Sequence, residues 1–272
     1  KLLREMQHFG WPLVPAALAL IGINFADRFF LSHLSGLNEV GKYELGVRVA
    51  SAMVLLLTAF RTAWPAFAYS LDDDREAKRT YAFVLTYLVF LASWLALGLG
   101  VLAPWIVRLL AHRNPAFWAG ADVVGMLAFG TAFYAAYIVM AIGVGRARRT
   151  QFNWVITGIA AAVNFALCLV LIPSYGMVGA GIATLAAYIA LFLAMTYWAQ
   201  KVYPVRYQWV RVAKAIGVAG VLTVGAKLVD APLALAIVIA LSYPFLLGLV
   251  GFYLPAERAR LRSIYRPRAR YG

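Results

Sequence analysis

Apolar residues come along this chain in long blocks rather than in alternation. From residue 10 to residue 34 the run GWPLVPAALALIGINFADRFFLSHL carries only two full charges, Asp27 and Arg28. Blocks of this kind reach the roughly 20 residues that a helix needs to cross a hydrocarbon core of about 30 Å. Eight such helices are predicted, at about 9–31, 45–70, 81–103, 121–144, 152–172, 177–199, 211–229 and 232–254. Polar and turn-forming stretches punctuate them: SHLSGLNEVGKYE, LDDDREAKRT, GRARRTQ, the tight turn SYGM after Pro173, and QKVYPVRYQW. Residues 104–119 are expected to lie along the membrane surface. They start at Pro104, set Arg108 and His112 one turn apart, and carry Trp105, Phe117 and Trp118 as interfacial aromatics.

Composition agrees with the blocks. The chain is 64% hydrophobic and 13% charged, with a mean hydropathy of +0.78, whereas soluble domains run near half apolar and about a quarter charged. An all-α, polytopic membrane protein follows. The net charge of +14 does not point to nucleic acid, because the basic residues fall in short clusters between spans, where loops meet anionic head groups. Alternate loops differ sharply: 18 basic residues fall on one set, including six Arg after residue 257, and 5 on the other, namely Lys42, Arg48, Arg108, Arg113 and Lys227. The positive-inside rule places the first set, with both ends of the chain, in the cytoplasm.

Little here suggests catalysis. The single cysteine, Cys168, lies inside a predicted span, and His8, His33 and His112 sit in separate loops, so no metal, cofactor or catalytic set is expected. Asp72, Asp73 and Asp74 stand beside Arg75, Glu76, Lys78 and Arg79, as in a solvated connector rather than a metal–diphosphate site.

Polar groups inside the spans cost about 2.5–3.5 kcal/mol when charged and so need a reason. Asn24, Asp27 and Arg28 share one polar face near the outer end of the first helix. Arg48 starts the second helix at the same level, either as a partner for Asp27 or as a cavity residue. Arg61 lies 13 residues further on, about 20 Å along the axis, among Thr58, Thr62, Trp64 and Pro65. Its guanidinium suits a diphosphate or carboxylate held bidentately in a wet cavity, or it snorkels to the inner interface. Asn153, Thr157 and Asn164 form a stripe with Ala160 and Cys168; such a stripe means close helix packing or cavity lining.

Three stretches carry a family likeness. FADRFFLSHLSGLNEVGKYELGVRVA, VNFALCLVLIPSYGMVGAGIATLAAY and YLPAERARLRSI resemble, in that order, the C-terminal half of the polysaccharide or O-antigen flippases of the multidrug/oligosaccharidyl-lipid/polysaccharide exporter superfamily. The resemblance implies a MATE-like second lobe, a six-helix bundle over residues 1–200. Two additional helices over 201–254 and a basic cytoplasmic tail over 255–272 complete the expected layout. It implies an alternating-access transporter, not an enzyme, that carries undecaprenyl-diphosphate-linked oligosaccharide across a bacterial cytoplasmic membrane. Basic residues line the cavity in that family, which makes Arg28, Arg48 and Arg61 candidates for contact with the diphosphate or sugar.

The chain opens without Met, and a longer protein with an N-terminal lobe is expected as its whole. Lipid-linked oligosaccharide and membrane lipids are the implied ligands, with a polysaccharide polymerase and glycosyltransferases as partners. A lipid II flippase or a MATE-type drug exporter is the related alternative, and a non-transporting scaffold of a polysaccharide synthesis complex is the alternative of another class.

Overall fold

A computed structural model describes residues 13–255 and residue 257, without the side chains of Leu13 and Asn24. The expected polar contribution of Asn24 and most of the basic tail therefore lie outside the described residues. Every regular element among those residues is helical. In order they are α1 (Leu13–Leu34), α2 (Leu37–Ala50), α3 (Ala52–Tyr69), α4 (Asp74–Leu110), a 3-10 turn (Pro115–Gly120), α5 (Ala121–Arg146), a second 3-10 turn (Thr150–Phe152), α6 (Asn153–Val202), α7 (Trp209–Leu228) and α8 (Leu233–Leu249). Six stretches are long and apolar enough to cross a bilayer. One of them, Thr150–Val202, contains α6, which breaks at Gly176 into two arms. With the shorter apolar α8, the fold is a membrane bundle of about eight crossings.

Small residues set the packing. In lipid, helices are held by close backbone approach and interhelical hydrogen bonds rather than by a hydrophobic driving force. Ala92, Ala96 and Gly100 of α4 and Gly125, Ala128 and Ala132 of α5 are buried. A Cβ on Gly100 would stand 3.2 Å from the Cα of Gly125. The α4–α5 pair forms the centre; α6 packs on α5 and α1, while α7 and α8 pack on α4.

Two expectations are corrected. The polar stretch expected to be a loop before the second span is helical from Leu37. Gly36, at φ +90°, turns the chain, and several of the polar residues that follow find partners: Lys42 pairs with Glu39 at 2.7 Å, Tyr43 bonds Asp27, and Glu44 pairs with Arg28. The helix interrupts only at Ser51, whose hydroxyl donates back to the carbonyl of Arg48 at 2.6 Å. The second correction concerns residues 104–119. Pro104 does not end its helix: α4 continues through it to Leu110, 37 residues in all. Proline deprives the carbonyl four residues back of its partner and crowds it, and that residue is Gly100, which adds no side chain to the crowding. Only residues 115–120 form a separate 3-10 turn.

The two ends of the bundle are pinned differently. At one end, Asp73 caps α4 by accepting from the N–H of Arg75 at 3.0 Å, and Asp74 and Glu76 fill its first turn, where negative charge suits the helix dipole. Arg146 then reaches back from α5 to the carbonyl of Leu71 at 2.7 Å, and Tyr203 donates to Asp74 at 2.6 Å. At the other end, Glu39 accepts from the N–H of Met177 at 3.2 Å, and Ser35 donates to the carbonyl of Ile172 at 3.2 Å. The Glu39 carboxyl is held below the ordinary carboxylate range, first by the Lys42 hydrogen bond and then by that N–H.

Candidate functional site

Between α1, α2, α3, α5 and the second arm of α6 lies a cleft of about 280 Å³. Its polar wall combines Asp27, Arg28, Tyr43, Ser51, Thr58, Arg61, Thr131, Tyr134, Thr184 and Tyr188; its apolar wall includes Leu20, Val54, Leu57 and Leu127. Arg61 is exposed on α3, near Tyr134 and Tyr137. The neighbouring hydroxyls of Thr58 and Thr62 are spent on their own helix, donating to Val54 at 2.8 Å and to Thr58 at 2.9 Å. No carboxylate among the described residues pairs with Arg61. Its fork of donors is thus available to a ligand in the cleft.

Asp27 and Arg28, adjacent in sequence, both border the cleft but engage different partners, as the angle of about 100° between helical neighbours allows. Asp27 is 3% exposed. It accepts from Tyr43 Oη at 2.6 Å, Thr184 Oγ1 at 2.6 Å and Asn164 Nδ2 at 3.3 Å, with the Cys168 Sγ at 3.6 Å. It thereby joins α1 to α2 and to both arms of α6. Arg28 instead pairs with Glu44 of α2, each about one-third exposed. The expected alternative partner for Asp27, Arg48, is not among these groups. Arg48 is exposed and lines a separate pocket beside the 3-10 turn.

The remaining candidates divide. Asn164 is fully buried, and its contact is Asp27 rather than the cleft; Asn153 is 7% exposed and also lies within the packing. Thr157 bonds the carbonyl of Asn153 at 2.9 Å. These side chains are buried between helices, and none of them is on the lining of the cleft. Sequence reasoning missed Tyr43, Thr184, Tyr134 and Tyr188. Tyr43 and Thr184 are 16 and 157 residues from Asp27, so no local spacing could have signalled them. The polarity of α2 was the one available hint.

Residues 1–114 match the model of a family described as polysaccharide biosynthesis protein. An uncharacterized membrane protein of Methanocaldococcus jannaschii is 23% identical over 211 residues, which cover 74% of this chain and 40% of that protein. Among solved structures, the lipid II flippase MurJ in an inward-closed conformation superposes with a TM-score of 0.54 at 15% identity, over 88% of this chain and 53% of that one. The chain therefore spans about half of the flippase's length and less of the archaeal relative's. The family match covers the first of the three stretches, and a flippase shares the fold over 88% of this chain.

Proposed function

We propose that this chain is part of a transporter that moves undecaprenyl-diphosphate-linked oligosaccharide from the inner to the outer leaflet of a bacterial cytoplasmic membrane. The observation that carries the reading is Arg61, without a carboxylate partner among the described residues, in a cleft walled by membrane-crossing helices. A guanidinium there is costly unless it does work, and its donor geometry matches the oxygens of a diphosphate. Tyr134 and Tyr188 offer aromatic faces and hydroxyls suited to a sugar ring beside it.

The lining argues against a cationic drug as cargo. Such cargo calls for an available acid, and the one acid on the wall, Asp27, is engaged by donors from three directions. A lipid II-like cargo shares the same diphosphate chemistry and differs in its sugars. The charge asymmetry of the loops supports a cytoplasmic placement for the end that holds Arg146 and Tyr203.

The deciding experiment removes the gene for the full-length protein and measures lipid-linked oligosaccharide in each leaflet. Accumulation confined to the inner leaflet is expected; an unchanged distribution between leaflets would sink the proposal.

A further inference from the structure

On the end of the bundle where basic residues are sparse, each of the five has a traceable fate except two. Lys42 pairs with Glu39 at 2.7 Å and Lys227 with Asp122 at 3.6 Å. Arg108 lies over the ring of Trp118, 5.3 Å from its centroid. Arg48 and Arg113 have no ion pair among the described residues, and they line the same pocket.

That pocket, about 460 Å³ in volume, lies between α2 and the turn after α4, within the size range of small-ligand sites. His112 and Asn114 share its wall. Asn114 uses its Oδ1 to accept from the N–H of Ala116 at 3.2 Å, which leaves its amide donors for the pocket; His112 adds a ring N–H in either protonation state. The one carboxylate on the wall, Glu44, is held by Arg28 from the side of the cleft. Two guanidiniums gathered around one space repel each other until an anion enters. Leu45, Leu110 and Phe117 form the apolar part of the lining, and Leu109 and Leu110 are 76% and 58% exposed beside it. A basic rim over an apolar flank fits an amphiphile with its anion at the interface.

We propose that this pocket, distinct from the cleft, is a second binding site for a phosphate group at head-group level, with Arg48 and Arg113 as its principal donors. The same chemistry is presented by a phospholipid head group and by free inorganic phosphates. The site stands whether or not the cleft carries oligosaccharide, since binding can be read without transport.

The test uses the full chain purified in a neutral maltoside detergent, with its thermal unfolding midpoint followed during titration. Inorganic pyrophosphate is one probe, phosphatidylglycerol in mixed micelles the other, and diacylglycerol the phosphate-free control. A saturable rise with either phosphate probe is expected, and none with diacylglycerol. A response to both shows that the anion suffices; a response to the lipid alone shows that the acyl chains are also recognised. Arg113→Ala and Arg48→Gln should each raise the half-saturating concentration about tenfold or more, as loss of a charge-assisted hydrogen bond implies. Arg206→Ala, at the opposite end, should leave it unchanged. Absence of a saturable response to both probes, or a response that ignores Arg48 and Arg113, overturns the proposal.

Discussion

At the scale of single residues, the question is which buried or intramembrane polar groups hold helices together and which face cargo. Asp27 is of the first kind. Interhelical hydrogen bonds in a bilayer average about 0.6 kcal/mol, so its set of donors should add up to about 2–3 kcal/mol. Asp27→Leu, which strands those donors, is expected to lower the unfolding midpoint in detergent markedly. Combining Asp27→Arg with Arg48→Asp should bring no recovery, because the two do not meet. By contrast, Arg28→Glu combined with Glu44→Arg should recover most of what either single change loses. That loss is small, within about 1 kcal/mol for a partly exposed pair. Arg61 is proposed to be of the second kind: it has no carboxylate partner among the described residues and lines the cleft. Arg61→Ala in the full-length protein should cut lipid-linked oligosaccharide export about tenfold or more, with membrane insertion and abundance unchanged on an immunoblot. Normal export by such a variant removes Arg61 from the cargo path.

At the scale of elements, length and hydropathy made the crossings legible, because a bilayer demands uninterrupted apolar helix and little else competes with that signal. They failed where a helix is polar for tertiary reasons. The residues Glu39, Tyr43 and Glu44 make α2 look like a loop, yet each is answered by another element: Met177, Asp27 and Arg28 respectively. The candidate cleft was half legible for the same reason. Arg28 and Arg61 stand out against apolar neighbours, whereas Tyr134, Tyr188 and Thr184 become cleft residues only once α5 and α6 fold beside α1. The break in α6 was visible as the Pro173–Gly176 turn, and its geometry is demanding. Gly176 has φ +53° and ψ −132°, and a Cβ there would stand 2.8 Å from Glu39 Oε2. Gly176→Ala should therefore cost about 1–3 kcal/mol, read as a lower unfolding midpoint, with a smaller loss in the Glu39→Ala background, where the clash is relieved.

At the scale of the whole molecule, the loops fall into two sets, one at each end of the bundle, and the proposed orientation is open to direct test. Cysteine introduced at Arg113 should react with a membrane-impermeant maleimide in intact cells, and cysteine introduced at Ser70 should react only after the membrane is opened. Both positions are exposed, while the native Cys168 is buried and needs no removal. The reverse pattern would turn the molecule over and move the phosphate pocket to the cytoplasmic side, without altering its binding chemistry.

The exposed Arg61 also bears on how the chain is made. Among the six stretches able to cross a bilayer, α3 has the lowest mean hydropathy, 1.2 against 2.5 for the stretch that includes α6. An arginine near mid-helix adds about 2.5–3.5 kcal/mol to the cost of partitioning from the insertion machinery into lipid. The helix that carries the proposed cargo contact is thus a weak signal for its own integration. It should enter the membrane inefficiently when presented alone to the translocon, and efficiently when α4 follows it in the nascent chain or when Arg61→Leu is introduced. Glycosylation mapping of these segments during cell-free synthesis would measure that order of assembly directly.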